Sequence, residues 1–392
     1  MKLPSNYDTS IDSLLEHSNN DTLFLSSWDR DIKESEVPFN LIKKAISISI
    51  NDVNKYQYMD EMLETKEFIK NTILNEEKIS ISSQNIAVAT NGTAGAFLIL
   101  KTLSEHQHLS PLLLTPIYFS YISALNDLCE NVEYYQVLQN EKIVLDYEKV
   151  ELLMREKHIN LIVINDPLFC SGLPIENKVY KQLILLCEKY NATLLVDFLY
   201  GGMEWYGERH YTQTYLLKEI SKGKSVFLID SMPKRLFING IKNAVIYGES
   251  SNIQNLEKMS VYTVGCMVYS QISLLKELYN PKNKSVINEI TNHNVSTAVH
   301  NYTFIKSLLL DSNCYLNECL SGHFALFNIP YYLLEKDTNI NIAKSILNRF
   351  NIITIPHDRY LYFDSSNYCF RINLLHSKPS LALGINNIKN IG

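Results

Sequence analysis

The chain has 392 residues, of which 46% are hydrophobic and 20% charged, a composition typical of a globular protein with a sizeable core. A formal net charge of −6 argues against nucleic acid as the main partner. No apolar run reaches the roughly 18 to 20 residues that a membrane span needs, and the N-terminus lacks the apolar core of a secretion signal.

The first 80 residues predict mixed structure. Residues 23–31 favour a short strand or loop, and EVPFNLIKKAISISI favours the first helix, because Pro38 fits a first helical turn. A second, amphipathic helix is predicted from about Leu63.

From residue 85 onward, apolar strand patterns alternate with helix patterns. Strands are predicted in NIAVAT, PLLLTP, NVEYYQV, INLIVIND, ATLLVDF, KSVFLIDS and KNAVIYG, and helices in NGTAGAFLILKTL, YISALNDLC, DYEKVELLMREK and ENKVYKQLILLCEKY. This alternation predicts an α/β fold with a mostly parallel sheet flanked by helices.

The last third of the chain changes character. Residues 250–285 favour helix, and the remainder mixes the helices NVSTAVHNYTFIKSLLL and INIAKSILNRF with the strands HFALFNI, NIITIP and YCFRINL. We therefore expect a large α/β domain over residues 46–282 and a smaller α+β domain built from residues 1–45 and 283–392.

The stretch VFLIDSMPKRLFINGIKN (226–243) carries the strongest chemical signal. Lys234 follows a buried strand, which is where open α/β sheets place their ligands. A partly desolvated lysine there can lose its proton and attack an aldehyde cofactor. The alternative for Lys234 is a solvated surface position, as for most lysines between strand and loop. Lys242 is a second cation that could meet a phosphate.

A second signal is Gly92-Thr93-Ala94, which lies between a predicted strand and helix. Helix amides and the helix dipole could hold a phosphate there, although many α/β proteins have such a turn without a ligand. The sequence contains neither GxGxxG nor GxxxxGK[ST], so dinucleotide and P-loop sites have no support.

Four other side chains suit an anionic aromatic cofactor or its substrate, each with a structural alternative. Asp197 could pair with a protonated ring nitrogen or cap a helix. Tyr200 could donate to a ring oxygen and Tyr118 could stack on a ring, or both could simply pack. Arg371, amid apolar residues, could bind a carboxylate or form an internal salt bridge.

The cysteines and histidines show no metal-ligand spacing, so no metal is expected. Seven cysteines, an odd number without a CxxC pair, favour reduced thiols and a cytoplasmic location. Cys170 lies near the candidate site, although most such thiols are packing residues.

Together, the order and spacing of these residues resemble fold-type I pyridoxal-phosphate enzymes, specifically the class I/II aminotransferase family, from Tyr58 to Arg371. The family's phosphate-binding Gly-x-x-x-Ala matches Gly92–Ala96, its Asp-x-x-Tyr matches Asp197 and Tyr200, and its Ser-x-x-Lys matches Ser231 and Lys234.

The resemblance also implies roles for single residues. Catalysis would rest on Lys234, Asp197 and Tyr200, and Arg371 would bind the substrate carboxylate. Pyridoxal 5′-phosphate would be bound by Gly92, Thr93, Ala94, Tyr118, Asp197, Tyr200, Ser231, Lys234, Lys242 and, from a neighbouring subunit, Tyr58.

Two positions depart from the family pattern. Phe169, in NDPLFCSG, stands where an asparagine usually bonds the ring oxygen, and phenylalanine has no donor. The loss of the asparagine's hydrogen-bond donor should raise the pKa of the lysine–cofactor imine or tilt the cofactor ring. Lys242 replaces the arginine of Gly-x-Arg, which keeps the charge but loses the fork.

The resemblance implies an aminotransferase that moves an amino group between an amino acid and a 2-oxo acid through a Lys234 Schiff base, as a homodimer with shared active sites. Phe169 keeps open a lyase, decarboxylase or oxidative enzyme on the same scaffold. A regulator of this fold would need a DNA-binding domain ahead of the first helix, where no basic helix-turn-helix pattern is visible. The sequence does not name the amino donor or acceptor, and we expect loops such as residues 23–31 and 262–269 to shape the substrate pocket.

Overall fold

A computed structural model describes residues 14, 16, 18–19, 21–29, 39–50, 62–77, 79–207, 211–263, 265 and 267–391. The strands of this part of the chain are β1 (Leu23–Phe24), β2 (Ile86–Ala89), β3 (Pro111–Thr115), β4 (Glu133–Gln136), β5 (Leu138–Gln139), β6 (Lys142–Ile143), β7 (Leu161–Asn165), β8 (Thr193–Asp197), β9 (Val226–Asp230), β10 (Ala244–Tyr247), β11 (Tyr315–Leu316), β12 (Phe324–Pro330), β13 (Ile352–Ile353) and β14 (Asn367–Asn373).

The α-helices are α1 (Phe39–Ile50), α2 (Leu63–Glu77), α3 (Gly92–His106), α4 (Phe119–Leu128), α5 (Tyr147–Glu156), α6 (Asn177–Tyr190), α7 (Tyr211–Ser221), α8 (Met232–Arg235), α9 (Ser250–Thr263), α10 (Tyr269–Leu278), α11 (Lys284–Leu308), α12 (Asn339–Phe350) and α13 (Lys378–Ile388). Four 3₁₀ turns cover Ser83–Asn85, Pro281–Asn283, Tyr331–Leu333 and His357–Tyr360.

A seven-stranded sheet forms the centre, in the order β2-β10-β9-β8-β7-β3-β4. Strand β10 is antiparallel to both neighbours, and the pairs from β9 to β4 are parallel. Every residue of β3, β7, β8 and β9 is buried. Apolar strands buried on both faces need helices on each side, so the predicted α/β fold class is confirmed.

The sequence reading missed some elements. Helix α7 lies between β8 and β9, where only the strands were predicted. The β5–β6 hairpin turns through Asn140 and Glu141, both with positive φ, and is too short to give a pattern in the sequence. Helix α11 begins ten residues before the predicted NVSTAVH start, because its first turns are polar.

The C-terminal third forms a second sheet, β11-β12-β14, in which both strand pairs are antiparallel. The N-terminal strand β1 pairs in parallel with β13, and Leu14 and Leu25 share a core cluster with the residues around β12 and β14. Residues distant in sequence therefore meet beside β14, which carries Arg371.

Candidate active site

A cavity of about 490 Å³ lies where the carboxyl ends of β7, β8 and β9 meet. Parallel strands bring their carboxyl ends to one edge, which is where such sheets bind ligands. Eight of the predicted site residues line it: Gly92, Thr93, Tyr118, Asp197, Tyr200, Ser231, Lys234 and Lys242. The lining also includes Trp28, Asn91, Asn165, Phe169 and Asn239.

Lys234 lies in the short helix α8, directly after β9. Its Nζ donates a hydrogen bond to Asn239 Oδ1 at 3.3 Å and lies 5.5 Å from the centroid of the Trp28 ring. Burial, helped by the positive charges of Lys242 and Arg371, lowers the pKa of Lys234 to about 8. The amine therefore gives up its proton more readily than an exposed lysine, as a nucleophile must.

Asp197 ends β8 and is 5% exposed. Burial raises the pKa of its carboxyl group to about 6, against the hydrogen bonds from the Leu199 amide and Asn165 and the charge of Lys234. The Leu199 amide donates to Asp197 Oδ1 at 3.2 Å. A buried acid at a cavity wall suits a ligand nitrogen that carries a proton.

Asn165, which the sequence analysis overlooked, supports both Asp197 and Tyr118. It is the last residue of β7 and pairs in register with Asp197 on β8. Its Oδ1 accepts a hydrogen bond from the Tyr118 amide at 2.9 Å. A polar residue ending an apolar strand was the available signal, because the adjacent strand ends in Asp197.

Aromatic rings form one side of the cavity. The Tyr118 ring packs edge-on against Trp28, with centroids 5.9 Å apart, and its hydroxyl lies 3.4 Å from Thr93 Oγ1. The Tyr200 ring is nearly parallel to the Trp28 ring, with centroids 6.5 Å apart. Burial raises the pKa of Tyr200, which keeps its hydroxyl protonated and able to donate.

The other end of the cavity begins at the N-terminus of α3. The Asn91 side chain caps this helix by accepting from the Ala94 amide at 2.8 Å. The amides of Gly92 and Thr93 precede the first helical hydrogen bond, so the helix itself gives them no partner. A Cβ at position 92 would overlap the Leu199 side chain, which would have to move to admit any larger residue.

Ser231 and Lys242 approach the same end from the other side. Ser231 Oγ donates to the Asn243 carbonyl at 2.7 Å, and Lys242 is exposed at the cavity rim. Free amides, a hydroxyl and a cation make this end suitable for an anion. Ala94, also predicted to bind the phosphate, is not among the lining residues, and its amide donates to Asn91.

Arg371 is the predicted site residue that the structure places behind the cavity wall. It lies in β14, is 0% exposed, and does not line the cavity. Its Nε donates to the Ser26 carbonyl at 2.9 Å. Phe169 does line the cavity, with its ring centroid 5.0 Å from that of Tyr360 and 5.5 Å from that of Tyr118.

Tyr58 lies outside the described residues. The loop over residues 23–31, which we expected to shape the substrate pocket, contributes Trp28 and Asp29 to the cavity lining. Neither Trp28 nor Asn239 was predicted as a single site residue, because loops carry no periodic signal. Asn239 Nδ2 donates to the Trp28 carbonyl at 2.9 Å, which links the N-terminal segment to the Lys234 loop.

Comparison with known proteins adds a family match. The model of the family described as aminotransferase class I and II matches residues 25–388. An aspartate aminotransferase of Pyrococcus horikoshii is 20% identical over 230 residues, which cover 55% of this chain. The match spans 57% of the length of that relative.

Two solved structures resemble the whole chain. A double mutant of Thermus thermophilus aspartate aminotransferase has a TM-score of 0.84 and 15% identity, covering 100% of this chain and 97% of that one. YbdL from Escherichia coli, described with a methionine aminotransferase function, has a TM-score of 0.82 and 14% identity, covering 99% and 98%. At these identities the likeness shows the fold. Among the described helices, none is long and apolar enough to cross a membrane.

Proposed function

The chain belongs to the class I and II aminotransferase family, and we propose that it is a pyridoxal-phosphate-dependent aminotransferase moving an amino group between an amino acid and a 2-oxo acid. One observation carries the proposal. A lysine with a lowered pKa and a buried aspartate face one cavity whose far end suits a phosphate. This is the donor set that an aldehyde-bearing, phosphorylated pyridine needs.

The cavity residues fit that cofactor. Gly92, Thr93, Ser231 and Lys242 would hold the phosphate, with Ala94 behind them in the first turn of α3. Asp197 would bind the protonated ring nitrogen, Tyr200 a ring oxygen, and Tyr118 a ring face. When bound, the cofactor supplies an aldehyde carbon and a ring that accepts electrons from the substrate.

The protein's own groups would then carry binding and proton movement. Lys234 Nζ would hold the cofactor at its aldehyde carbon, and as a free amine it would take a proton from the substrate α-carbon and return it to a different atom. Asp197 would keep the ring nitrogen of the bound cofactor protonated. Its carboxylate is almost fully buried, so water competes little for this contact. Arg371 holds the substrate carboxylate and so orients the α-carbon.

Phe169 favours a second candidate function, a lyase, decarboxylase or oxidative enzyme of the same cofactor class. Its phenyl ring lines the cavity and has no hydrogen-bond donor. A donor to the cofactor's ring oxygen at this position would change how the cofactor accepts electrons from the substrate. A panel of amino acids and 2-oxo acids separates the two functions. Transfer of the amino group supports the aminotransferase, whereas release of ammonia, carbon dioxide or peroxide supports the alternative.

The covalent role of Lys234 gives the direct test. Lys234→Ala should remove the visible absorbance of the bound cofactor and reduce amino transfer to background. Lys224→Ala, which removes a lysine that pairs with Glu188 on the surface, is the matched control and should keep both properties. A Lys234→Ala protein that retains absorbance and turnover would refute the assignment.

We also propose that the protein is a homodimer, with Tyr58 reaching the phosphate of the other subunit, and that it divides into domains at residues 46–282 and 1–45 with 283–392. The pairing of β1 with β13 supports the shared small domain. A cytoplasmic location stays a prediction from the sequence.

Exposed apolar side chains support the dimer. Leu63, Val261, Tyr262 and Val268 are 57%, 58%, 86% and 63% exposed, on segments that meet around one small cavity. Tyr262→Glu should shift the sedimentation coefficient toward a monomer. Tyr332→Glu, at a position 73% exposed elsewhere, should leave it unchanged. Equal sedimentation of both variants and the parent would argue against an interface at Tyr262.

A further inference from the structure

Arg371 is a buried cation whose fork of donors is left open. Neither terminal nitrogen has a hydrogen-bond partner among the described residues, although the whole side chain is buried. The adjacent Cys170 thiol provides no anion, because burial raises its pKa to about 12 despite the guanidinium charge. Buried donors normally find acceptors, so this pair of nitrogens points to a ligand that supplies them.

The Trp28 indole covers that guanidinium. Arg371 Cζ lies 3.4 Å from the centroid of the Trp28 ring, against 4.9 Å for Phe324 and 5.9 Å for Tyr360. Tryptophan gives the strongest cation–π contact of the aromatic side chains. The ring therefore partly replaces the acceptor that Arg371 lacks.

The same ring separates Arg371 from the cavity. Trp28 lines the cavity and Arg371 does not, while Lys234 Nζ lies 5.5 Å from the centroid of the Trp28 ring. A ligand bound beside Lys234 thus meets the indole before it meets the guanidinium.

Hydrogen bonds hold the backbone around Trp28, whereas the described residues hold its ring by ring contacts alone. Asn239 donates to the Trp28 carbonyl at 2.9 Å, and Asn373 donates to the carbonyls of Ser27 and Asp29 at 3.1 and 3.0 Å. The Trp28 indole nitrogen makes no hydrogen bond to the described residues. By contrast, Trp205 Nε1 donates to the Gly322 carbonyl at 2.9 Å. Rotation of the Trp28 side chain therefore breaks ring contacts alone.

We propose that Trp28 is a specificity-determining residue whose indole holds Arg371 until a ligand carboxylate displaces it. A carboxylate accepts two charge-assisted hydrogen bonds from the fork and so replaces the ring contact, whereas an uncharged group of the same shape cannot. The inference rests on the proposed carboxylate role of Arg371 and adds the residue that controls access to it.

The two tryptophans of the chain allow a direct test by ¹⁹F NMR of the full chain as purified, labelled with 5-fluorotryptophan. Butanoate is the probe and butanamide its uncharged match; Trp205→Phe assigns the two resonances. We expect butanoate to shift the Trp28 resonance saturably and leave the Trp205 resonance in place. Butanamide should shift neither, and Arg371→Gln should abolish the response.

Substitution at position 28 gives a second measurement that does not depend on the label. Trp28→Leu removes the competing ring face and should lower the dissociation constant of butanoate about tenfold, while Trp28→Phe should fall between the two. Isothermal titration calorimetry measures the three constants. A Trp28→Leu protein that binds butanoate no more tightly than the parent overturns the proposal.

The remaining outcomes separate this inference from the proposed function. An unshifted Trp28 resonance at every butanoate concentration, or an equal shift with butanamide, overturns the role of Trp28 even if the protein transfers amino groups. Conversely, a protein without cofactor absorbance would refute the proposed function, while the carboxylate response of Trp28 and Arg371 would still stand.

Discussion

Two buried arginines, Arg235 and Arg371, differ in the partners that the fold gives their side chains. Arg235, beside Lys234, pairs with Asp230 and donates from Nε to the Gly201 carbonyl at 2.7 Å. Arg371 has one backbone acceptor and two terminal nitrogens without a partner among the described residues. Both side chains are almost completely buried, so burial alone does not separate them.

The difference lies in what the surroundings supply. Asp230 also accepts from Gln213 Nε2 at 3.1 Å, so the Arg235 charge is paired and both oxygens of its partner carboxylate are bonded within the chain. Aromatic rings surround Arg371 instead, and rings leave its in-plane donors free. A buried charge that is paired within the chain indicates a structural role. A buried charge whose donors lack acceptors indicates a group that binds a ligand.

Removing the satisfied arginine should have the largest effect on stability. Arg235→Gln would leave Asp230 as an unpaired buried charge, which costs about 3–5 kcal/mol of the free energy of unfolding. Urea denaturation measures the loss, and the double variant Asp230→Asn/Arg235→Gln should recover part of it. A stability equal to that of the parent would show that the Arg235 pair is not structural.

Removing the unsatisfied arginine should affect binding rather than stability. Arg371→Gln would delete the two charge-assisted hydrogen bonds that we propose to the substrate carboxylate, so KM for the amino donor should rise about a hundredfold. Steady-state kinetics with the best donor of the panel measures it. A rise in KM as large in Arg235→Gln, or a loss of stability as large in Arg371→Gln, would break the comparison.

Lys234 should resemble Arg371 in that its buried positive charge serves the proposed function and does not stabilise the fold. Its folded-state pKa of about 8 lies below the ordinary value of 10.5, so the folded state disfavours the charged amine. Below pH 8 the amine is protonated in both the folded and the unfolded state, so the full cost of burying its charge lowers the free energy of unfolding. As the pH rises above 8 the protein becomes more stable, and the cost vanishes near pH 10.5.

Lys234→Met should therefore stabilise the cofactor-free protein by about 1–3 kcal/mol at pH 7, since each pKa unit is worth about 1.4 kcal/mol. The gain should shrink toward zero between pH 8 and 10.5, as measured by urea denaturation. Lys242→Met, at an exposed position of the same cavity, is the control and should not change stability. A gain that does not depend on pH would point to better packing instead.

The smallest expected effect concerns Phe169. Phe169→Asn would restore a donor near the cofactor ring oxygen and should lower the pH midpoint of the cofactor's visible band by about one unit. Phe169→Leu has no donor and should keep the midpoint of the parent. Identical midpoints in the two variants would mean that position 169 does not reach the ring.

Parts of the site were visible in the sequence because they follow directly from local patterns. Asp197, Ser231 and Lys234 each follow an apolar run that becomes a central strand, and parallel strands present their carboxyl ends together. Gly92 precedes a helical pattern and does begin α3. Asn165 had the same signal and was overlooked.

Other parts depend on contacts between distant segments. Trp28 meets Arg371 across 343 positions because β1 pairs with β13 and Ser26 bonds the backbone of Arg371. The sequence around residue 28 does not predict that contact, because loop conformation has no periodic signature. Asn239 joined the site in the same way, through its bond to the Trp28 carbonyl.

The sequence by itself determined the layered α/β fold and the order of chemical groups along it, because hydrophobic periodicity and strand-end residues are local properties. Only the tertiary structure decided which of the two buried arginines is satisfied and which is covered by an aromatic ring. Burial and pairing depend on neighbours that are remote in the chain, and no local pattern encodes them.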